Sequence, residues 1–168
     1  MKKKKAIGVL TTAAIAASTF VSMNPVQAAS VSETKQLMEK AENYAGALKW
    51  AVSVEGSADG KTRPWKLYNQ TKDAYAAAQK AVKGLSGSEK VTLETRLQNN
   101  VYLYINRSMN YIDAITAGEK IQAAMVTLKT RIDSGIVDDK TEELYHKLSY
   151  EIRKQGVLLD RVYGYQQD

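Results

Sequence analysis

Residues 86–135 read SGSEKVTLETRLQNNVYLYINRSMNYIDAITAGEKIQAAMVTLKTRIDSG. No proline interrupts them, and their apolar positions recur every three or four residues, the mark of an amphipathic helix. Leu97, Val101, Tyr104, Ser108, Ile112 and Ile115 hold one seam, and Ile121, Met125, Leu128 and Ile132 hold a second. The two seams fall out of phase around Ala117-Gly118. One glycine inside a helix costs only about 1 kcal/mol, so the spacing predicts one long helix, C, whose buried face rotates there. Ser86 and Glu89 have the S-x-x-E spacing of a capping box at its start, with Ser88 as the other candidate cap. Ser134-Gly135 closes it.

Two helices are predicted upstream. Helix A opens at Ser30, which forms an S-x-x-E box with Glu33, and carries Leu37, Ala41, Tyr44, Leu48 and Val52 on one face. The turn-forming run Glu55-Gly56-Ser57-Ala58-Asp59-Gly60 ends it. Helix B begins with Pro64 as its first helical residue, where a fixed φ and a missing N–H do no harm. Its seam is Tyr68, Thr71, Tyr75, Ala78, Val82 and Leu85. Downstream, helix D is capped by Asp138 or Asp139 and carries Tyr145, Leu148, Ile152, Gln155, Leu159 and Val162 as an inward seam, ending near Tyr163-Gly164.

Short turns between long helices make antiparallel neighbours. The expected fold is therefore all-α: an antiparallel three-helix bundle whose third helix continues into a helical hairpin. The expected division is 1–28 signal peptide, 29–108 three-helix bundle, and 109–168 hairpin sharing the long third helix. In the alternative, helix D folds back and all four helices share one core.

The first 28 residues set the expected compartment. Lys2 to Lys5 are a positive n-region, Ala6 to Val21 an uncharged apolar stretch, and Val26-Gln27-Ala28 places small residues at −3 and −1 of a cleavage site. This is the pattern of a secretory signal peptide, and the apolar stretch is short for a membrane span of about 20 residues. The chain carries 24 Lys and Arg against 18 Asp and Glu; four of the lysines and none of the acids precede residue 29, which leaves 20 against 18. A near-neutral mature part argues against nucleic acid as partner, and no later stretch reads as membrane-spanning. There is no cysteine, and His146 is the single histidine. Those two facts exclude a thiol nucleophile, a disulfide framework and a multi-histidine metal site.

Tyr145-His146-Lys147, Tyr150-Glu151-Ile152 and Leu159-Asp160-Arg161-Val162-Tyr163-Gly164 resemble the N-terminal region of the SbsC-type S-layer proteins, with Tyr111-Ile112-Asp113-Ala114 fitting the same region upstream. The stretch from Tyr68 to Val82 is similar more loosely. The resemblance implies helical bundles joined by a shared continuous helix, and attachment to an acidic secondary cell-wall polymer; an exported chain without cysteine also fits a Gram-positive envelope. The family continues past the position of Asp168 with another helix and long β-domains that build the lattice. For this chain the expectation is a second bundle without its third helix, whose seam packs on the first bundle, on another copy or on a partner.

Charged sugars are held by Lys and Arg, which pair with carboxylate or phosphate, and by Trp and Tyr, whose faces cover sugar C–H surfaces. Lys49 and Trp50 near the end of helix A, with Lys61, Arg63, Trp65 and Lys66 on the A–B connection, form the candidate carbohydrate site. A second set on helix D comprises Tyr145, His146, Lys147, Arg153, Lys154 and Arg161, of which Tyr145 is expected to face in and Arg153 and Lys154 out. Glu142, Glu143 and Glu151 lie on a solvated helix face rather than across a cleft, so no catalytic residue, cofactor or metal is expected. The function expected is non-enzymatic attachment of a secreted protein to anionic wall polysaccharide. Its alternative is an interaction module that dimerises or pairs with an S-layer partner through the incomplete second bundle; a wall hydrolase ranks last.

Overall fold

The computed structural model describes residues 30–162, so the signal-peptide expectation and the last six residues lie outside it. The described residues are helical, with no strand among them: α1 (Val31–Ala51), α2 (Trp65–Lys83), α3 (Gly87–Leu97), a π-helical turn (Gln98–Tyr102), α4 (Leu103–Asp133) and α5 (Asp139–Leu159). None of them is long and apolar enough to cross a membrane.

Local chemistry accounts for most of the boundaries. Glu33 N–H donates to Ser30 Oγ (3.2 Å) and Ser30 N–H donates back to Glu33 Oε2 (2.8 Å), the reciprocal box expected at the start of α1. Asp138 caps α5 by accepting from Thr141 N–H at 2.9 Å. Pro64 proves to be the N-cap of α2, one position before its expected place. Ser86 is the N-cap of α3, but its side chain makes no capping hydrogen bond, which corrects the second predicted box. Gly87 follows at φ +70°, a left-handed turn that only glycine makes freely, and the chain enters the helix through that turn instead.

α3, the π turn and α4 follow one another without a break and run past Gly118. The π turn changes which residues are buried. Its i→i+5 bonding adds about one residue to the turn. The inward series therefore becomes Leu97, Val101, Ile105, Ser108 and Ile112. Tyr104, expected in that series, is displaced to the edge and is only partly buried.

Ion pairs and ring contacts fix the directions of the helices. Lys35 meets Glu89 (3.3 Å) and Glu42 meets Arg96, while Lys49 lies 5.8 Å from the Tyr104 ring, so α1 runs alongside the long rod in the same sense. Arg63 meets Glu119, and Tyr75 meets Tyr102 at 5.7 Å between ring centroids, so α2 runs against the rod. Met38, Ala41, Ala45 and Leu48 of α1, Ala78 and Val82 of α2, and Leu93, Leu97 and Val101 of the rod form one core cluster. Full burial of a Leu or Met there contributes roughly 1.5–3 kcal/mol each.

The second half of α4 pairs with α5, where Arg131 donates to Asp138 at 2.6 and 2.8 Å. This part is less well covered. Of the expected second seam only Leu128 is buried; Met125 and Ile132 are 41% and 51% exposed. Tyr145, expected to face in, is 58% exposed, and Ile152 is 49% exposed. Two helices alone cannot enclose stripes that each span a third of a helix surface.

Candidate functional site

A cleft of about 270 Å³ opens where α1 ends, lined by Lys49, Trp50, Val52, Ser53, Val54 and Glu55 from the α1 side, Tyr104, Arg107 and Tyr111 from α4, and Val162 beyond α5. Spacing on α4 makes this wall: positions 104, 107 and 111 are i, i+3 and i+7, hence one helix face. The π turn just upstream sets that face toward α1 rather than into the core.

The tip of α1 is folded tightly. Trp50 carbonyl oxygen accepts from Ser57 N–H (3.1 Å) and Ser53 N–H (3.4 Å). A Cβ at Gly56 would lie 2.1 Å from that oxygen, so no larger residue fits. The turn leaves the Trp50 side chain 54% exposed. Nearby, the Tyr104 ring has two cations within reach, Lys49 Nζ at 5.8 Å and Arg107 Cζ at 5.6 Å from its centroid. Ser53 Oγ is buried with no hydrogen-bond partner among the described residues. An orphaned buried hydroxyl is costly and rare in native structures, and here it belongs to a cleft-lining residue.

The loop that follows is pinned at three points. Asp59 carboxylate accepts from Thr62 Oγ1 (2.7 Å), Thr62 N–H (2.6 Å) and Lys61 N–H (2.8 Å). Those donors, the Thr62 hydroxyl first, hold its carboxyl well below the usual range. Gly60, at φ +68°, donates its N–H to Tyr111 Oη at 3.0 Å and so ties the loop to the cleft wall. Arg63 donates to Glu119 from both terminal nitrogens (3.0 and 2.5 Å) and to Thr116 Oγ1 (3.2 Å). This fork raises the Arg63 pKa and lowers that of Glu119.

Of the six residues singled out from sequence, Lys49 and Trp50 stand together in the cleft. Lys61 and Lys66 are exposed on the connection, and Arg63 is held by Glu119. Trp65, 46% exposed, sets its ring edge-on to Tyr68 at 5.8 Å. The two tryptophans thus have different neighbours. Sequence reasoning missed Tyr104, Arg107, Tyr111 and Ser53. The signal for three of them was the Tyr-x-x-Arg-x-x-x-Tyr spacing, hidden because Tyr104 also suited the apolar seam.

The second set, on α5 with Arg161 just beyond its end, is exposed throughout. Tyr145 and His146 rings stand 5.6 Å apart, His146 lies 3.5 Å from Glu142, and Lys154 lies over the Tyr150 ring at 5.5 Å. Arg153 donates to Ser149 Oγ at 2.7 Å. Among the described residues no three His, Asp or Glu groups are gathered as a metal site would require.

Residues 49–167 match the family model described as the SbsC C-terminal domain, a span that begins at the cleft's Lys49 and includes all of its other wall residues. The sequence resemblance was to the N-terminal region of such proteins; the matching model bears the name of the C-terminal domain. An S-layer protein of Geobacillus stearothermophilus is 31% identical over 180 aligned residues, which take in 98% of this chain and 14% of that protein. The chain thus spans about one seventh of that relative's length. No solved structure matches.

Proposed function

The chain belongs to the family of the SbsC C-terminal domain, and from that premise we propose that it is an exported, non-enzymatic protein of the cell surface that holds an anionic secondary cell-wall polymer in the Trp50 cleft. The architecture we infer is the antiparallel three-helix bundle, over 29–108, with its third helix continuing into the hairpin of 109–168, after removal of a signal peptide at 1–28. The directions of α1 and α2 along the rod, and the contact between α4 and α5, support a bundle followed by a hairpin on one shared helix.

One observation carries the binding reading: a flat exposed indole, a tyrosine ring within reach of Lys49 and Arg107, and a partnerless serine hydroxyl converge on one cleft. An indole face covers the apolar face of a sugar ring, and the two cations suit a carboxylate or phosphate on the same residue. Glu55 on the rim is the one acid in the lining, so positive groups outnumber it. Lys61, Arg63, Trp65 and Lys66 extend the same end of the molecule, where a polymer longer than one sugar would run on.

The test is sedimentation with wall sacculi before and after extraction of the secondary polymer. Binding is expected to disappear on extraction and to weaken at least tenfold in Trp50→Ala. A folded Trp50→Ala/Trp65→Ala variant that sediments as the parent does would remove the site. The second reading, an interaction module, has its own observation in the uncovered hairpin.

A further inference from the structure

We propose, resting on the polymer reading of the Trp50 cleft, that Val162 forms its third wall and that a polymer held there locks the end of α5 against α4 and the tip of α1. Filling the cleft and seating the α5 end are then one coupled event. Among the described residues, Val162 is the one lining residue supplied from beyond α5; every other comes from the α1 side or from α4.

Sequence and register together put Val162 there. Leu144, Leu148, Gln155, Leu158 and Val162 are all buried or half-buried, and their helical spacing makes them the inward stripe of α5. Val162 is the last of that stripe, half-buried beside the exposed Asp160 and Arg161. The turn carries on past the helix end, because Asp160 N–H donates to Gly156 O (2.9 Å) and Val162 N–H donates to Leu159 O (3.1 Å). α5 runs against α4: Arg131 donates to Thr141 at 3.3 Å, and Lys120 and Thr127 share a groove with Glu151 and Leu144. The same register brings Val162 level with Asn110, between Arg107 and Tyr111 of the cleft wall.

The α5 end is also the least secured side of the cleft. Ile152 and Val157 of α5 are 49% and 57% exposed. The α1 tip, by contrast, is folded onto the Trp50 carbonyl oxygen, and the loop beyond it is tied to Tyr111. Segments with few buried apolar contacts open locally at small free-energy cost. A ligand that touches Val162 only when the α5 end is seated favours the seated state by its differential affinity. By linkage, seating strengthens binding by the same factor. The aliphatic side chain adds to the apolar surface that Trp50 offers a sugar. Closing the third side also excludes water, which strengthens the attraction between Lys49 and a negative charge.

Amide exchange of the processed protein, with and without the soluble polymer extracted from sacculi, tests the coupling. With polymer at about 100 times its dissociation constant, exchange at the Asp160 and Val162 amides should slow at least tenfold and at most about 100-fold. These amides exchange through local opening, so they slow only if that opening weakens binding. Val162→Ala should weaken binding about threefold to tenfold, and Val162→Ile should bind within about twofold of the parent, both with unchanged helical circular dichroism. The exchange measurement uses the parent chain, so the test does not depend on how a variant folds. Parent that binds sacculi while exchange at Asp160 and Val162 is indifferent to polymer overturns the coupling and leaves polymer binding standing. So does Val162→Ala that binds as tightly as the parent. Parent that does not bind sacculi overturns both readings, which tells the two failures apart.

Discussion

Glu42 shows how much one half-buried carboxylate can hold. It accepts from Arg96 Nε (2.6 Å), Arg96 Nη2 (2.5 Å) and Asn100 Nδ2 (2.8 Å), joining α1 to the rod just before the π turn and within it. The Arg96 guanidinium first, then Asn100, lower its pKa against the opposing effect of burial. Its folded pKa lies below the unfolded carboxylate value of about 4.3. The pair's contribution is therefore complete above that value and is lost as pH falls through the depressed folded value. Glu42→Ala should cost about 1–2 kcal/mol at neutral pH, read by urea unfolding. The difference from the parent should shrink as the pH is taken below 4. Gly56→Ala makes a sharper case, because its Cβ would meet Trp50 carbonyl oxygen at 2.1 Å. It should destabilise the α1 tip and shift Trp50 fluorescence. At this scale sequence read well wherever one residue suffices, as with the Ser30–Glu33 box. It failed at Ser86, where the same spacing is overruled by the left-handed Gly87 beside it.

Among the elements, the long rod was legible as a single helix because one glycine is a small penalty. Nothing lies within 4 Å of a Cβ built at Gly118. Gly118→Ala should therefore raise stability by about 1 kcal/mol, seen as a higher denaturation midpoint with an unchanged slope. The π turn was not legible, since a bulge leaves no composition mark and one additional residue is absorbed by the looseness of 3–4 spacing. Its cost to the reading was specific: Ile105 took the place of Tyr104 in the core, and the Tyr104–Arg107–Tyr111 wall went unseen. Removing exposed Asn99 should turn Gln98–Tyr102 into ordinary α-helix, with Leu97 and Ile105 brought to a spacing of seven and still in phase. The shortened protein should keep its helical circular dichroism and lose the alignment of the Glu42 contacts.

Across the whole molecule the core is unevenly distributed. The fully buried Met38, Leu48, Val82 and Val101 all lie where α1, α2 and the first part of the rod meet, while the hairpin buries Leu128, Thr141, Leu144 and Gln155. Amide exchange should accordingly be slowest in α1 and the middle of α2 and faster in α5; equal protection in both would contradict this distribution. Ionic strength gives a second whole-molecule measure. If Lys49 and Arg107 neutralise charge on the polymer, sacculus binding should fall as salt rises from about 50 to 500 mM, since screening lengths shrink below about 10 Å over that range. Sequence conveyed helix count and order because periodicity is local. It could not say that the paired α4 and α5 leave Met125, Ile132 and Tyr145 exposed, since exposure depends on which neighbours arrive.

The unbroken run from Gly87 to Asp133 has a mechanical consequence. At 1.5 Å per residue it is a strut about 70 Å long, and α1, α2 and α5 all pack along it. Tension applied beside the Trp50 cleft therefore reaches the hairpin through a continuous backbone ladder rather than through a joint. The weakest rung is the π turn, which should stretch first when the cell envelope is sheared.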